Sequence, residues 1–154
     1  MLWEADRVER NAWMQRKTSM PLTMHSADRA SHSHEIPPLN IIEKADDEIR
    51  AIAEPLWRDL IKNSNEGNYG EFVKNFSGAM ALAMNQVAVG HQFANSELAR
   101  NLSDHFDYLG IIRRGQHVTV LYRQRSTKRD GEWVGRLVLG YEDDKIRIFG
   151  ASIF

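Results

Sequence analysis

Six histidines offer proton transfer near neutral pH: His25, His32, His34, His91, His105 and His117. No cysteine accompanies them, which excludes disulfides, thiol nucleophiles and thiolate metal sites. His32 and His34 stand two residues apart, so in an extended chain both rings point one way, with Glu35 beside them. That is a weak chelating pair lacking a fixed third ligand, and it suits adventitious nickel or zinc rather than a resident metal. His91 follows Gly90 in a stretch able to close over a pocket, and His117 opens a strand. With the phenol of Tyr122 they are the candidate proton donors and acceptors, although no carboxylate or nucleophile stands next to any of them in the sequence. A lone histidine is more often a surface or packing residue, so these candidates remain weak. The catalytic set is unassigned and the balance leans away from an enzyme; no cofactor and no metal is expected.

Carboxylates tell the same story. Glu132, Glu142, Asp143 and Asp144 fall at turns, while Asp59 and Glu71 fall at helix positions whose spacing faces solvent. Among the bases, seven Lys and Arg lie between Arg113 and Arg136 against only Asp130 and Glu132. Such a patch can hold phosphates. However, only Tyr122 and Trp133 interrupt it, without the ladder of stacking aromatics that single-strand binders use, and the whole chain carries a net charge of −1. Basic residues also guard sheet edges against pairing, so nucleic acid is not the expected partner.

The elements that must position these groups read clearly in the second part of the chain. The 154 residues, 42% hydrophobic and 27% charged, suit one soluble domain with a tail. Residues 1–40 stand apart. Their run "TSMPLTMHSADRASHSHEIPPLN" has three prolines and no sustained period, and reads as a flexible extension. Ahead of it, Leu2 to Lys17 can form a short helix only against a partner surface. Alternatively Met20 or Met24 is the true start and the upstream residues are not native protein. The N-terminus mixes acids and bases without an apolar core segment, so it is no secretory signal, and no apolar run reaches membrane-spanning length. A cytoplasmic protein is expected.

From Ile41 the apolar residues Ile42, Ala45, Ile49, Ile52, Ala53, Leu56, Trp57, Leu60 and Ile61 step by three and four. That spacing predicts an amphipathic helix, capped by Asn40 with Glu43 in an approximate capping box, kinked or split at Pro55 and ended over 63–67. Tyr69, Phe72, Val73 and Phe76 repeat the spacing in a shorter helix that breaks at Ser77-Gly78. A loose helix over 79–89 and another begun by Asn95, with Leu98 and Leu102 inward, follow. After Asp107 the period becomes two. "YLGIIRR", "QHVTVLYRQRS", "EWVGRLVLGY" and "KIRIFGASIF" are predicted strands, joined by turns at Gly115, Asp130-Gly131 and "EDD". Helices first and four strands afterwards predict an α+β fold, with helices on one face of an antiparallel meander.

In this order, the phrase made by Asn68, Tyr69, Phe72, Phe76 and Ser77 after a long helix, then Leu109-Gly110 and Val120-Leu121-Tyr122, resembles the nuclear transport factor 2-like superfamily. The resemblance covers residues 41–154. It implies a curved sheet wrapped against a long helix, forming a cone with an internal pocket. Its isomerase members use a carboxylate base in the cone and hydroxyl or acid donors for a developing oxyanion; no such base is visible here. Many members bind without catalysis, so the fold leaves the function open.

On that reading the pocket candidates are Trp57, Phe72, Phe76, Tyr122, Trp133 and Arg136, with Arg136 orienting an anionic ligand. The aromatics of the 68–76 stretch are foremost packing residues. Large apolar groups fall on both faces of the third strand: Trp133, Leu137 and Leu139 on one, Val134 and Val138 beside Arg136 on the other. Helices cover one face. Members of the superfamily commonly dimerise through the sheet, so a homodimer is expected to cover the second. The chain is therefore expected to be a homodimeric domain binding a small apolar or anionic ligand, or a protein, without catalysis. The competing roles are an isomerase or lyase built on Tyr122, His91 or His117, and a structural subunit.

Overall fold

Ile49, Ala53, Trp57, Leu60 and Ile61 recur at helical spacing, and all five are buried on one side of helix α1, Asp46–Glu66. The computed structural model describes residues 39–84 and 96–154. The extension over residues 1–38, with His25, His32 and His34, lies outside those residues, as do His91 and Asn95.

The long helix starts later than its apolar pattern suggests. Asn40 caps a separate 3-10 turn, Ile41–Glu43, its side chain accepting from the Ile42 amide at 3.2 Å. Extended backbone at Lys44 and Ala45 then separates this turn from α1. The expected capping box is therefore absent, and Asp46, Asp47 and Glu48 supply the negative charge that a helix N-terminus favours. Pro55 does not split α1. It removes the bond to the Ala51 carbonyl, but both residues lie on the exposed side, where water reaches that carbonyl. The helix ends where Gly67 adopts the left-handed conformation, φ 67°, and the Gly67 and Asn68 amides close back on Ser64 and Asn63.

Helix α2, Tyr69–Phe72, is capped by the Asn68 side chain, and helix α3, Gly78–Ala83, by Ser77. The Glu142 carboxylate also accepts from the Gly78 amide at 3.0 Å. Phe72 and Phe76 meet edge to face at 5.3 Å, and the Tyr69 hydroxyl donates to the Met84 carbonyl at 2.8 Å, so this aromatic stretch is packing. The helix expected after Asn95 is instead a turn over residues 97–100. The Ser96 hydroxyl accepts the Ala99 amide, and Ala99 and Leu102 are buried. Asn65 holds this segment to α1, exchanging 2.8 Å hydrogen bonds with both the amide and the carbonyl of Leu102.

The sheet follows the sequence pattern closely. Strands β1 (Asp107–Arg114), β2 (His117–Gln124), β3 (Trp133–Glu142) and β4 (Lys145–Ile153) form an antiparallel meander in chain order. Register aligns Tyr108, Tyr122, Gly135 and Ile153 across the sheet, then Ile111, Val120, Leu137 and Ala151. These rows face α1. Gly110, Leu121, Arg136 and Ser152 form a row on the opposite face, as do Ile112, Thr119, Val138 and Gly150. Beyond β4, the Ser77 amide donates to the Ile148 carbonyl at 2.8 Å and the Ile148 amide to the Asn75 carbonyl at 2.7 Å.

Trp57 joins helix to sheet. Its indole is fully buried, stacks on Tyr122 at 5.4 Å, and donates to the Gln124 side-chain carbonyl at 3.1 Å. Gln124, itself fully buried, donates onward to the carbonyls of Ser103 at 2.7 Å and Arg125 at 3.0 Å. The ring lies so close over Gly135 that a Cβ there would sit inside the contact radius of the indole Cζ2 and 3.0 Å from Cη2. Gly135→Ala should therefore destabilise the protein by about 2 kcal/mol or more, the cost of overpacking a filled site. Gly110→Ala, whose Cβ meets nothing within 4 Å, should change stability by no more than about 0.5 kcal/mol. Urea unfolding of both variants decides the point; equal midpoints would show that the indole yields easily.

Candidate functional site

One end of the interface between α1 and the sheet remains open. A cleft of about 100 Å³ lies there, lined by Arg50, Glu54, Phe106, Tyr108 and Tyr122. It is smaller than pockets holding drug-sized ligands, which run from roughly 300 Å³ upward. Arg50 and Glu54 are one helical turn apart on α1, flanking the buried Ile49 and Ala53. Tyr108 and Tyr122 are cross-strand partners in β1 and β2, and Phe106 leads into β1. Phe106 meets Tyr122 edge to face at 5.1 Å, so the phenol is held between the Trp57 indole and the Phe106 ring.

Tyr122 is 2% exposed, and its hydroxyl is buried without a hydrogen-bond partner among the described residues. An unmet buried hydroxyl costs about 1–3 kcal/mol, so a group that accepts its proton is favoured in the cleft. Burial, with the Glu54 carboxylate nearby, pushes the phenol pKa well above its ordinary value, while Arg50 pulls the other way. At neutral pH the phenol is therefore a proton donor and not a base. The Arg50 guanidinium lies 4.0 Å above the centre of the Tyr108 ring, and among the described residues it makes no hydrogen bond or ion pair. Glu54 is matched by Arg58 at 3.1 Å, and Arg58 in turn lies 4.9 Å over the Phe106 ring.

Of the pocket candidates, Tyr122 alone lines this cleft. Trp57, Phe72 and Phe76 are buried core residues. Trp133 is half-buried across from Gln124, on the helix-facing side of β3. Arg136 lies on the far face of the sheet, in register with Leu121 and Ser152, so it is not brought together with the aromatics. His117 begins the same strand as Tyr122 but faces the opposite way. Its ring meets Phe149 at a tilt, with centres 4.6 Å apart, and burial lowers its pKa. The two cannot act together on one substrate.

The acids considered as bases are occupied as well. Asp59 and Glu71 both pair with Lys74, at 3.2 and 2.9 Å. At least three of the seven bases in the hairpin region are matched: Arg123 contacts Glu132 at 3.0 Å, Arg125 contacts Asp107 at 3.1 Å, and Arg113 is held by Asp46 and the carbonyls of Ile42 and Lys44. Among the described residues no group of three His, Asp or Glu could hold a metal, and no helix is long and apolar enough to cross a membrane.

Arg50, Glu54, Phe106 and Tyr108 escape a reading of the sequence. Arg50 and Glu54 look like the solvated flank of an amphipathic helix, and Tyr108 like any strand aromatic. The signal that marks them is the pairing of Tyr108 with Tyr122, which follows once the Gly115 turn fixes the register of β1 on β2.

The buried phenol gives a measurable alkaline signature. Its folded pKa lies above that of the unfolded chain, so the stability it contributes is complete below about pH 10 and is lost as pH rises through the folded value. Tyr122→Phe should keep the stack on Trp57, match or exceed the parent stability at pH 7, and flatten the loss of stability above about pH 10. Denaturant midpoints across pH 7–11 test this; parallel curves for both proteins would mean that the hydroxyl is not buried alone. No family model matches the chain, and neither a curated protein nor a solved structure matches it.

Proposed function

We propose that this chain is a non-catalytic binding domain, a small cone of the nuclear transport factor 2-like kind, that takes a small molecule over Tyr122 and works as a homodimer. The observation that carries the reading is the unmatched Tyr122 hydroxyl beside Arg50 in an otherwise close-fitting helix–sheet interface. Cores ordinarily satisfy such groups internally. Here a guanidinium and a tyrosine with an unmatched hydroxyl line one cleft with aromatic walls, a combination of apolar surface and a few polar groups that suits a small guest. A donor phenol without a partnered base favours binding over acid–base turnover. The order of elements, a long helix, the 68–77 phrase and a four-stranded meander, supports the cone reading.

The far face of the sheet supports the homodimer. Leu121, Val134, Val138 and Phe149 are half-buried there, and Ile112 at the β1 edge is 49% exposed. Apolar side chains spread over four strands are what a self-complementary interface around a two-fold axis requires.

Two measurements test the two halves of the proposal. Amide and aromatic NMR spectra of the whole protein, titrated with a library of small fragments, should shift around Arg50, Tyr108 and Tyr122; shifts confined to other regions would count against the cleft. Light scattering after gel filtration should give twice the chain mass, with Val138→Asp giving the single mass. A parent protein that runs as a monomer at tens of micromolar would end the dimer reading.

A further inference from the structure

Resting on that binding reading, we infer that the ligand is a small singly charged organic carboxylate with a flat apolar body, held by Arg50 and the Tyr122 hydroxyl against Phe106 and Tyr108. The charge balance of the cleft leads there. Glu54 is neutralised by Arg58, so the remaining formal charge at the cleft is the Arg50 guanidinium. The Arg50 guanidinium carbon lies 4.0 Å from the centre of the Tyr108 ring, and Arg50 lines the cleft. Tyr122 lines the same cleft, and its buried hydroxyl has no hydrogen-bond partner among the described residues. A carboxylate accepts from both at once, and charge-assisted bonds of this type are the stronger ones.

The same arrangement disfavours other classes. A dianion such as phosphate would bring a second negative charge towards the Glu54 carboxylate. An ammonium ion would face Arg50 with its attraction to Glu54 already shared with Arg58. A cavity of about 100 Å³ excludes large bodies, while Phe106 and Tyr108 give it aromatic walls suited to an apolar one.

Calorimetric titration of the full chain with sodium benzoate, benzamide, benzylamine and inorganic phosphate tests this, with NMR shifts locating each molecule. Benzoate should bind at the cleft at least tenfold more tightly than the other three. Arg50→Gln should weaken it at least tenfold, Tyr122→Phe several-fold without loss of thermal stability, and Glu54→Gln should tighten it. Binding of benzamide or benzylamine at the cleft as tight as that of benzoate would overturn the carboxylate assignment and leave the cleft as a binding site. So would an Arg50→Gln protein that binds benzoate unchanged. If neither these probes nor any fragment shifts Arg50, Tyr108 or Tyr122, the binding reading itself falls.

Discussion

A single indole nitrogen sets much of this structure. Trp57 is the largest side chain on the buried face of α1, and burying it leaves an N–H that must find an acceptor. Gln124 supplies that acceptor at 3.1 Å, and its amide must then be met in turn, by the Ser103 and Arg125 carbonyls. One polar requirement on a helix thus fixes the end of β2 and the strand-like segment before β1. It also explains Gly135, since the ring can reach Gln124 only by lying flat across the neighbouring strand where no Cβ intervenes. The network is satisfied in itself, which gives it value for specifying one arrangement as well as for stability.

Tyr122 depends on the same constraint and departs from it. Its ring is gripped by Trp57 on one side and Phe106 on the other, yet its hydroxyl, unlike the indole N–H, is left without a partner. Two polar aromatics therefore stack between helix and sheet, one closed by an internal amide and one unmatched in the lining of a cleft. The contrast separates scaffold from site. Arg50 and Glu54 flank the buried stripe of α1 a turn apart, so the helix that carries the core also carries the cleft's charges on its shoulder.

The sheet was legible in the sequence because alternation over β2 and β3 has a period of two, and the Gly115 and Asp143-Asp144 turns leave little freedom of register. The core stripe of α1 was legible for the same kind of reason. Local departures were not. The break at Lys44 cannot be seen in an apolar pattern that continues through it, and Pro55 is tolerated only because it falls on the water side. Alternation already sets Arg136 opposite Trp133, and the register keeps it there, in line with Leu121 and Ser152. The cleft was least legible, because Arg50 and Tyr108 become neighbours only through the packing of α1 on β1.

The short bridge between Asn75–Ser77 and Ile148 has a bearing on how the chain behaves at high concentration. Strand β4 contains an apolar run from Ile148 to Ile153, interrupted only by Gly150 and Ser152, and it stands at the rim of the sheet. Runs of this sort, with strong β-propensity and no charge, seed cross-β stacking when their backbone donors are open. The turn after α2 occupies the donor and acceptor of Ile148 at the start of that run. The turn after the small aromatic helix thus covers the start of that rim, so an approaching strand would find the Ile148 donor and acceptor already taken.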